Sequence, residues 1–424
     1  LLRGCIPTKS MLKSAELADQ ARKASDFGVS VGEVSIDLKA VLKRKDKVVQ
    51  ANAGGVAFLL KKNKVQTFHG LGSLDGPGRV KVTAADGSAQ TIQTRNVILA
   101  TGSVPRTLPF APVDGQAVLS SDELLELDTM PSHLIVLGAG AVGVEFASVF
   151  KSFGAEVTVV ELADRLVPVE DEEISAEFAK IFARRGIKVH TATKLTQVER
   201  TDGGVRCRLE AEGKAPVSVS GSHLLVAVGR APVTDGLNLQ STKVQVERGF
   251  VHVDGFGRTA EPGVYAIGDI VAGTPQLAHA ASTEGVLAVE HIAGLDVRPI
   301  NYTEVPGCTY SSPEIGSIGL TEAKAKAAGH EVKVGKFPFT GNGKAKVMGD
   351  TSGFVKIVAE AKYNQILGVH IIGPHACDLI AEAGPLIKLE YTADELAQTI
   401  HAHPTLSEAI HEAAHATLGH ALHM

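Results

Sequence analysis

Apolar and small residues recur at Met11, Leu12, Ala15 and Ala18, behind Pro7. Positions three and four apart share one side of a helix, so this spacing predicts a helix over 5–25. Proline in the first turn suits such a start, because its missing N–H would be unpaired there anyway. A second helical stretch with a basic face runs from Val41 to Lys64. From Gln66 to Ala100 the period shortens, and VQTFHGLGSL, RVKVTA and TRNVILATG read as strands. Residues 104–130, punctuated by proline and acids, read as a linker. Between Leu134 and Glu161, LIVLGAGAVGVEFASVFKSFGAEVTVVE is strand, glycine-rich turn, helix and strand within 28 residues. Alternation continues to HLLVAVGR at 223–230, through FVHVDGFGRT and VYAIGD at 250–269, to a helix over 277–293. After Asn301 the character changes: VKVGKFPF, GFVKIVAE and QILGVHIIG predict antiparallel strands, with helices to the end. Glycine-ended strands at 97–103 and 264–269 imply a second dinucleotide-type lobe, which makes the chain α/β. No tandem repeat is present.

Composition narrows this picture. A chain of 424 residues suggests two to four domains. Its 42 Lys and Arg against 47 Asp and Glu leave a net charge of −5, no footprint for nucleic acid or an acidic membrane surface. The longest strongly apolar run, Leu134 to Val144, is far shorter than the roughly 20 residues of a membrane-spanning helix. Four cysteines, Cys5, Cys207, Cys308 and Cys377, are not a secreted disulfide framework, so a reducing compartment is expected. The 44 glycines suggest backbone approaching phosphates. A motif begins at once after Leu1, so a further chemical segment is expected before it.

Four patterns carry chemistry. GAGAVG places Gly138, Gly140 and Gly143, with Ala139, Ala141 and Val142 between them and Val144 after, between a strand and a helix. Such glycines let the backbone reach a pyrophosphate at a helix N-terminus. An acid, Glu161, ends the second strand; it would accept from ribose hydroxyls and repel a 2′-phosphate, favouring NAD over NADP. GCIPTK sets Cys5 before a helix N-terminus with Lys9 four residues on, an environment that favours thiolate, although a buried inert cysteine would read the same way. HAHPTLSEA offers His403 as a base oriented by Glu408, or a capping box over Thr405 to Glu408. HEAAH, at His411, Glu412 and His415, matches a zinc pattern, yet Leu418 and Ala421 stand where the longer metalloprotease motif needs Gly and His. No metal site is expected there.

Together GCIPTK, ATGS at 100–103, GAGAVGVEFAS, VGRAP at 228–232, TAEPGVYAIGD at 259–269, LAHAASTEG at 277–285 and HAHPTLSEA resemble the pyridine nucleotide–disulfide oxidoreductases over the whole chain. The acid in VELADR, and the Leu-Ser-Glu after the His motif, resemble their lipoamide branch rather than the NADPH-linked one. The resemblance implies two Rossmann-like dinucleotide-binding domains and a C-terminal α+β interface domain. It sets an FAD domain at 1–109, an NAD domain at 110–239, a central domain at 240–302 and a dimerisation domain at 303–424. It implies that Gly72, Thr101, Gly102 and Ser103 line the ADP side of FAD, Asp269 holds the ribityl chain, and Gln276, Leu277, Ala278 and His279 lie along the isoalloxazine. Lys9 would approach flavin N5 and pair with Glu145, and Glu145 and Gly229 would join the glycine turn on the NAD side.

The family's Cys-x4-Cys pair would put its first cysteine, and the first FAD glycine motif, before Leu1. The activity implied is oxidation of protein-bound dihydrolipoamide with reduction of NAD, by a homodimer in which His403 and Glu408 serve the partner's thiols. The implied partners are lipoyl domains and core subunits of 2-oxoacid dehydrogenase complexes or the glycine cleavage system. No nucleic acid or membrane is expected, and the expected compartment is a bacterial cytoplasm or a mitochondrial matrix. A related disulfide reductase, a flavin transhydrogenase and a non-catalytic truncated paralogue or assembly subunit remain open at this stage.

Overall fold

The computed structural model describes residues 1–423, folded as two compact units. One unit comprises Leu1–Ala53, Thr107–Gly229 and Thr303–Met424; the other comprises Gly54–Arg106 and Arg230–Tyr302.

In the first unit, helix α1 (Cys5–Arg22) buries Met11, Ala15 and Ala18, the face its spacing predicted. A short 3₁₀ turn follows, closed by Gly28. The parallel sheet runs in the order Val118–Leu119, His223–Val226, β1 (His133–Leu137), β2 (Glu156–Val160) and Lys188–His190. Helix α2 (Ala141–Phe153) joins β1 to β2, which pair in register from His133 against Glu156 to Leu137 against Val160. β1 is near-continuously apolar because parallel strands are covered on both faces. Leu134, Val136, Val144, Phe146 and Phe150 share one core with Met11 of α1. Burying a side chain such as Met11 contributes about 1.5–3 kcal/mol. Polar bonds also tie α1 to this lobe: Arg22 donates to the Ser152 carbonyl at 2.6 Å and Ser152 donates to Asp19 at 2.6 Å. The alternation between β2 and residue 223 resolves into a three-stranded antiparallel layer, Thr193–Thr201, Gly204–Ala211 and Val217–Gly221.

The C-terminal part of this unit is a five-stranded antiparallel sheet in the order β3 (Gly307–Thr309), β4 (Glu314–Gly319), Ile366–Gly373, Phe354–Glu360 and Val332–Pro338. Helices α3 (Ala376–Lys388) and α4 (Glu408–Thr417) pack on it, with Ile380, Ala383, Ile410 and Ala413 in a common core. A buried cation stands within it. Lys356, 2 % exposed, meets Asp171 at 2.9 Å, Glu173 at 2.9 Å and Glu322 at 2.8 Å. Asp171 also caps the helix Glu172–Arg184 by accepting from the Glu173 N–H.

The second unit holds an antiparallel meander, Leu71–Leu74, Arg79–Thr83 and Ala89–Gln93, and a parallel pair, Val97–Leu99 with Val264–Ala266. That pair is what appears of the second dinucleotide-type lobe. Leu74, Leu99, Leu237, Val251, Val264 and Ala266 form its core. The reading of 65–69 as strand does not hold: the strand starts at Leu71, and Val65 and Phe68 stay exposed, with no neighbouring strand to pair with among the described residues. The residues read as linker, 104–130, begin within the short strand Ser103–Pro105 and contain, in the first unit, Val118–Leu119 and a capped turn of helix, Ser121–Leu124.

Candidate active site

The glycine turn is built as its spacing requires. Gly138 takes a φ of +104°, open to glycine, and Gly140 is the extended N-cap of α2. Gly143 sits so close to the turn that a Cβ there would stand 1.9 Å from the Gly138 oxygen. The first N–H groups of α2 therefore face outward from a cradle without side chains, the donor set a pyrophosphate needs. Beside it, a Cβ on Gly138 would stand 2.4 Å from the Ala227 oxygen, and Gly229 adopts a φ of +104°.

Glu161 has a tie that the sequence did not foretell. One carboxylate oxygen accepts from Ala139 N at 2.6 Å and the other from Ala163 N at 2.8 Å. The acid thus stands fixed beside the glycine turn. Glu161→Arg is expected to shift the NAD-to-NADP preference about tenfold or more, ~1.4 kcal/mol, by removing a carboxylate that repels the 2′-phosphate. Glu161→Gln, which keeps an acceptor for the Ala139 N–H, should move it less. Initial rates with each nucleotide check this; an unchanged ratio in the Arg variant overturns the assignment.

Cys5 is the first residue of α1, exposed, behind Gly4, with no side chain capping the helix. The positive end of the helix dipole is thus directed at the thiol. One turn on, Lys9 Nζ meets both Glu145 oxygens at 2.9 and 2.8 Å. Glu145, buried on α2, also accepts from Tyr310 N at 3.0 Å, and the ammonium lies 4.5 Å from the Tyr310 ring centre. Sequence reading paired Lys9 with Glu145 but missed Tyr310, whose only signal was its place in the Cys-Thr-Tyr strand end.

His403 and Glu408 meet: Nδ1 lies 2.9 Å from Glu408 Oε1, and Glu408 Oε2 accepts from Thr405 N at 2.8 Å. One carboxylate serves both readings. The box is only half made, since the Thr405 hydroxyl donates to the Ala402 carbonyl and α4 begins at Glu408 itself. Burial would raise the Glu408 carboxyl, but the Thr405 N–H and the His403 ring outweigh it and hold it below the usual range. The His403 ring is 78 % exposed. Nearby, His401 bonds Glu382 at 2.7 Å, a pair unseen in the sequence, and that carboxylate raises the imidazole pKa.

The HEAAH groups are otherwise engaged. Glu412 accepts from the backbone of Leu422 and His423 and meets His423 Nδ1 at 2.7 Å. His411 Nε2 bonds the Ala397 carbonyl at 2.9 Å, and His415 faces His420 at 3.3 Å.

In the second unit Thr101, Gly102, Ser103 and Asp269 follow the carboxyl ends of the parallel pair, the end at which ligands bind in open α/β sheets, while Gly72 lies on the separate meander strand Leu71–Leu74. Ser103 donates to Asp269 at 2.5 Å and accepts from Arg230 Nε at 2.6 Å. Thr101 bonds the Val233 carbonyl, and Gly102 takes a φ of +70°. Gln276 donates to the Asp269 carbonyl at 3.2 Å, Leu277 caps the helix Ala278–Ile292, and His279 lies in its first turn. Gly72 has open space where a side chain would be. A carboxylate held by Ser103 and Arg230, flanked by glycines, fits a hydroxyl-rich chain with phosphates. Arg230 was the residue sequence reading missed, though it stands within VGRAP.

Comparison with known proteins agrees with this geometry. Residues 1–285 match the family model described as pyridine nucleotide-disulphide oxidoreductase, and 305–414 match that family's dimerisation domain. Dihydrolipoyl dehydrogenase from Bacillus subtilis (strain 168) is 46% identical over 433 residues, spanning 100% of this chain and 91% of that protein. The mitochondrial dihydrolipoyl dehydrogenase of Pisum sativum is 40% identical, spanning 99% of this chain and 84% of its own. A crystal structure of LpdA from Mycobacterium tuberculosis superposes with a TM-score of 0.90 at 33% identity, covering 97% of this chain and 90% of that one. By its domains, its fold and its glycine turn, the chain belongs to the pyridine nucleotide-disulphide oxidoreductases.

Proposed function

We propose that the enzyme, a homodimer, oxidises protein-bound dihydrolipoamide to lipoamide and reduces NAD to NADH. The observation that carries this reading is the α1–α2 pairing, in which Cys5 and Lys9 stand one turn apart and Lys9 is clamped by Glu145. Four relatives so named, at 43–46% identity over nearly the whole chain, support the dithiol substrate.

His403, its Nδ1–H given to Glu408, takes a proton on Nε2 from the substrate dithiol. The substrate thiolate attacks an enzyme disulfide that includes Cys5, and Cys5 leaves as thiolate. Bound FAD supplies a two-electron relay between these thiols and NAD. Gly72, Thr101, Gly102, Ser103 and Asp269 would hold it, together with Gln276, Leu277, Ala278 and His279. Gly138 to Val144, Glu161 and Gly229 hold NAD. His403 and Glu408 act on the thiols of the partner subunit. The domains follow as 1–109 for FAD, 110–239 for NAD, 240–302 completing the flavin site, and 303–424 at the dimer interface.

The protein partners are lipoyl domains and core subunits of 2-oxoacid dehydrogenase complexes or of glycine cleavage. Among the described residues no helix is long and apolar enough to cross a membrane. The working compartment is a bacterial cytoplasm or a mitochondrial matrix.

The test is a substrate panel on the FAD-loaded full-length enzyme: dihydrolipoamide with NAD, against glutathione disulfide and mycothione with NADH or NADPH. Dominant turnover of dihydrolipoamide is expected. Faster reduction of either other disulfide would assign the enzyme to a sibling reductase.

A further inference from the structure

Three cysteines have no part in the chemistry above. Burial pushes the Cys207 thiol up to about 12, which leaves it inert. The other two lie together. Cys308 is central in β3, opposite Gly316 of β4. Gly316 lets the start of α3 settle onto the sheet, since a Cβ there would stand 2.3 Å from the Ala376 oxygen. The next residue, Cys377, is thereby brought against Cys308.

The contacts fix the pair. Cys308 Sγ lies 3.8 Å from the Cys377 oxygen, and Cys377 Sγ lies 3.5 Å from the oxygens of both Thr309 and Ile315. Both residues are half-buried, each with its sulfur against the backbone beside the other. The neighbouring Cys377 side chain, helped by the Tyr310 hydroxyl and opposed by burial, holds the Cys308 thiol below its ordinary value. The Cys308 side chain, together with burial, pushes Cys377 up. Two neighbouring thiols of unequal acidity are the arrangement of a nucleophile and its resolving partner. Tyr310 joins them to the active site, because its ring lies under Lys9 and its N–H bonds Glu145.

We propose that Cys308 and Cys377 form a second redox-active dithiol, separate from Cys5, which hydrogen peroxide closes to a disulfide. The Cys308 thiolate attacks one peroxide oxygen and the O–O bond breaks. The sulfur, oxidised by two electrons, becomes a sulfenic acid, and the departing hydroxide takes up the thiol proton as water. The Cys377 sulfur then attacks the sulfenic sulfur. An S–S bond forms, the S–O bond breaks, and hydroxide leaves with the Cys377 proton as a second water. Two thiols and one peroxide thus give one disulfide and two waters. A small neutral oxidant suits a half-buried site in which the Glu314 carboxylate already bonds the Cys377 N–H at 3.0 Å.

The test treats the full-length holoenzyme, in a Cys5→Ser background that removes the Cys5 thiol, with a small molar excess of hydrogen peroxide. Digestion without reductant should give a peptide pair joining Cys308 to Cys377, two hydrogens lighter and separated by dithiothreitol. In Cys377→Ser the Cys308 sulfenic acid should be captured by dimedone, whereas in Cys308→Ser Cys377 should stay a free thiol. Both cysteines still free after peroxide, or either joined to a different cysteine, overturns the proposal, and the Cys5→Ser protein decides this without the further variants.

Discussion

His403→Gln is expected to lower dihydrolipoamide oxidation by about 10²–10⁴-fold, the usual contribution of a general base. The fold should survive, because the ring is 78 % exposed. Glu408→Gln separates the two duties of that carboxylate. Its amide oxygen can still accept from Thr405 N, so the start of α4 keeps its cap. Its NH₂ group then faces His403 Nδ1, which must become the acceptor, and the ring proton moves to Nε2, where the substrate's proton has to go. Turnover should therefore fall strongly with an unchanged melting temperature. Near-normal turnover would leave Glu408 as a cap alone. The cross-subunit arrangement has its own check. Inactive Cys5→Ser and His403→Gln homodimers are mixed under subunit exchange, and one site of each mixed dimer is then wild type. Activity should reappear; no recovery despite proven exchange places base and thiol on one chain.

Lys356→Met is expected to destabilise the protein by about 3–5 kcal/mol at pH 7, the cost of leaving buried charge without its partner. Most of the loss falls on Asp171, whose side chain is 2 % exposed, while Glu173, at 43 %, is screened by water and contributes little. The pH dependence has a fixed sign. Burial would raise the Asp171 carboxyl, but the Lys356 ammonium outweighs it and holds it below its unfolded value. Such a group stabilises fully above the unfolded pKa, near 4, and loses that contribution as pH falls through its lower folded value. The gap between wild type and variant should accordingly be full at pH 7 and narrow below about pH 4. Urea midpoints at both pH values read this directly; a gap that is small at pH 7, or that widens on acidification, refutes it.

The features legible in the sequence are those dictated by local backbone chemistry. Gly138 and Gly143 had to be glycine at a turn approached this closely, and Gly140 leaves open space between them, so their spacing revealed strand, turn and helix together. Lys9 with Glu145 followed from family resemblance, and His403 with Glu408 was one of two readings of HAHPTLSEA; the structure places each pair within hydrogen-bond distance. What stayed hidden depends on distant chain. Ser103, Arg230 and Asp269 meet across more than a hundred residues, and although each stands in a family motif, nothing in those motifs announces that they bond one another. The strand Ala89–Gln93 is mostly exposed and polar at the meander's edge, so it has no alternation to read. Lys356 looks like an ordinary solvent-facing lysine in GFVKIVAE, and only the three carboxylates from two other segments make it a core residue.

Helix α2 bears on the engineering of cofactor use. Its first turn carries the glycine turn proposed to hold the nucleotide, and Glu145, five residues past Gly140 and about 7.5 Å along the axis, grips Lys9. Gly143 locks the helix against the turn, so neither end can be reset alone. A chimera that imports residues 133–161 from an NADPH-using relative therefore also imports position 145 and the seat of the lysine. Such a graft has to carry a carboxylate there, at the same rotation about the helix axis, or it will trade one half-reaction for the other.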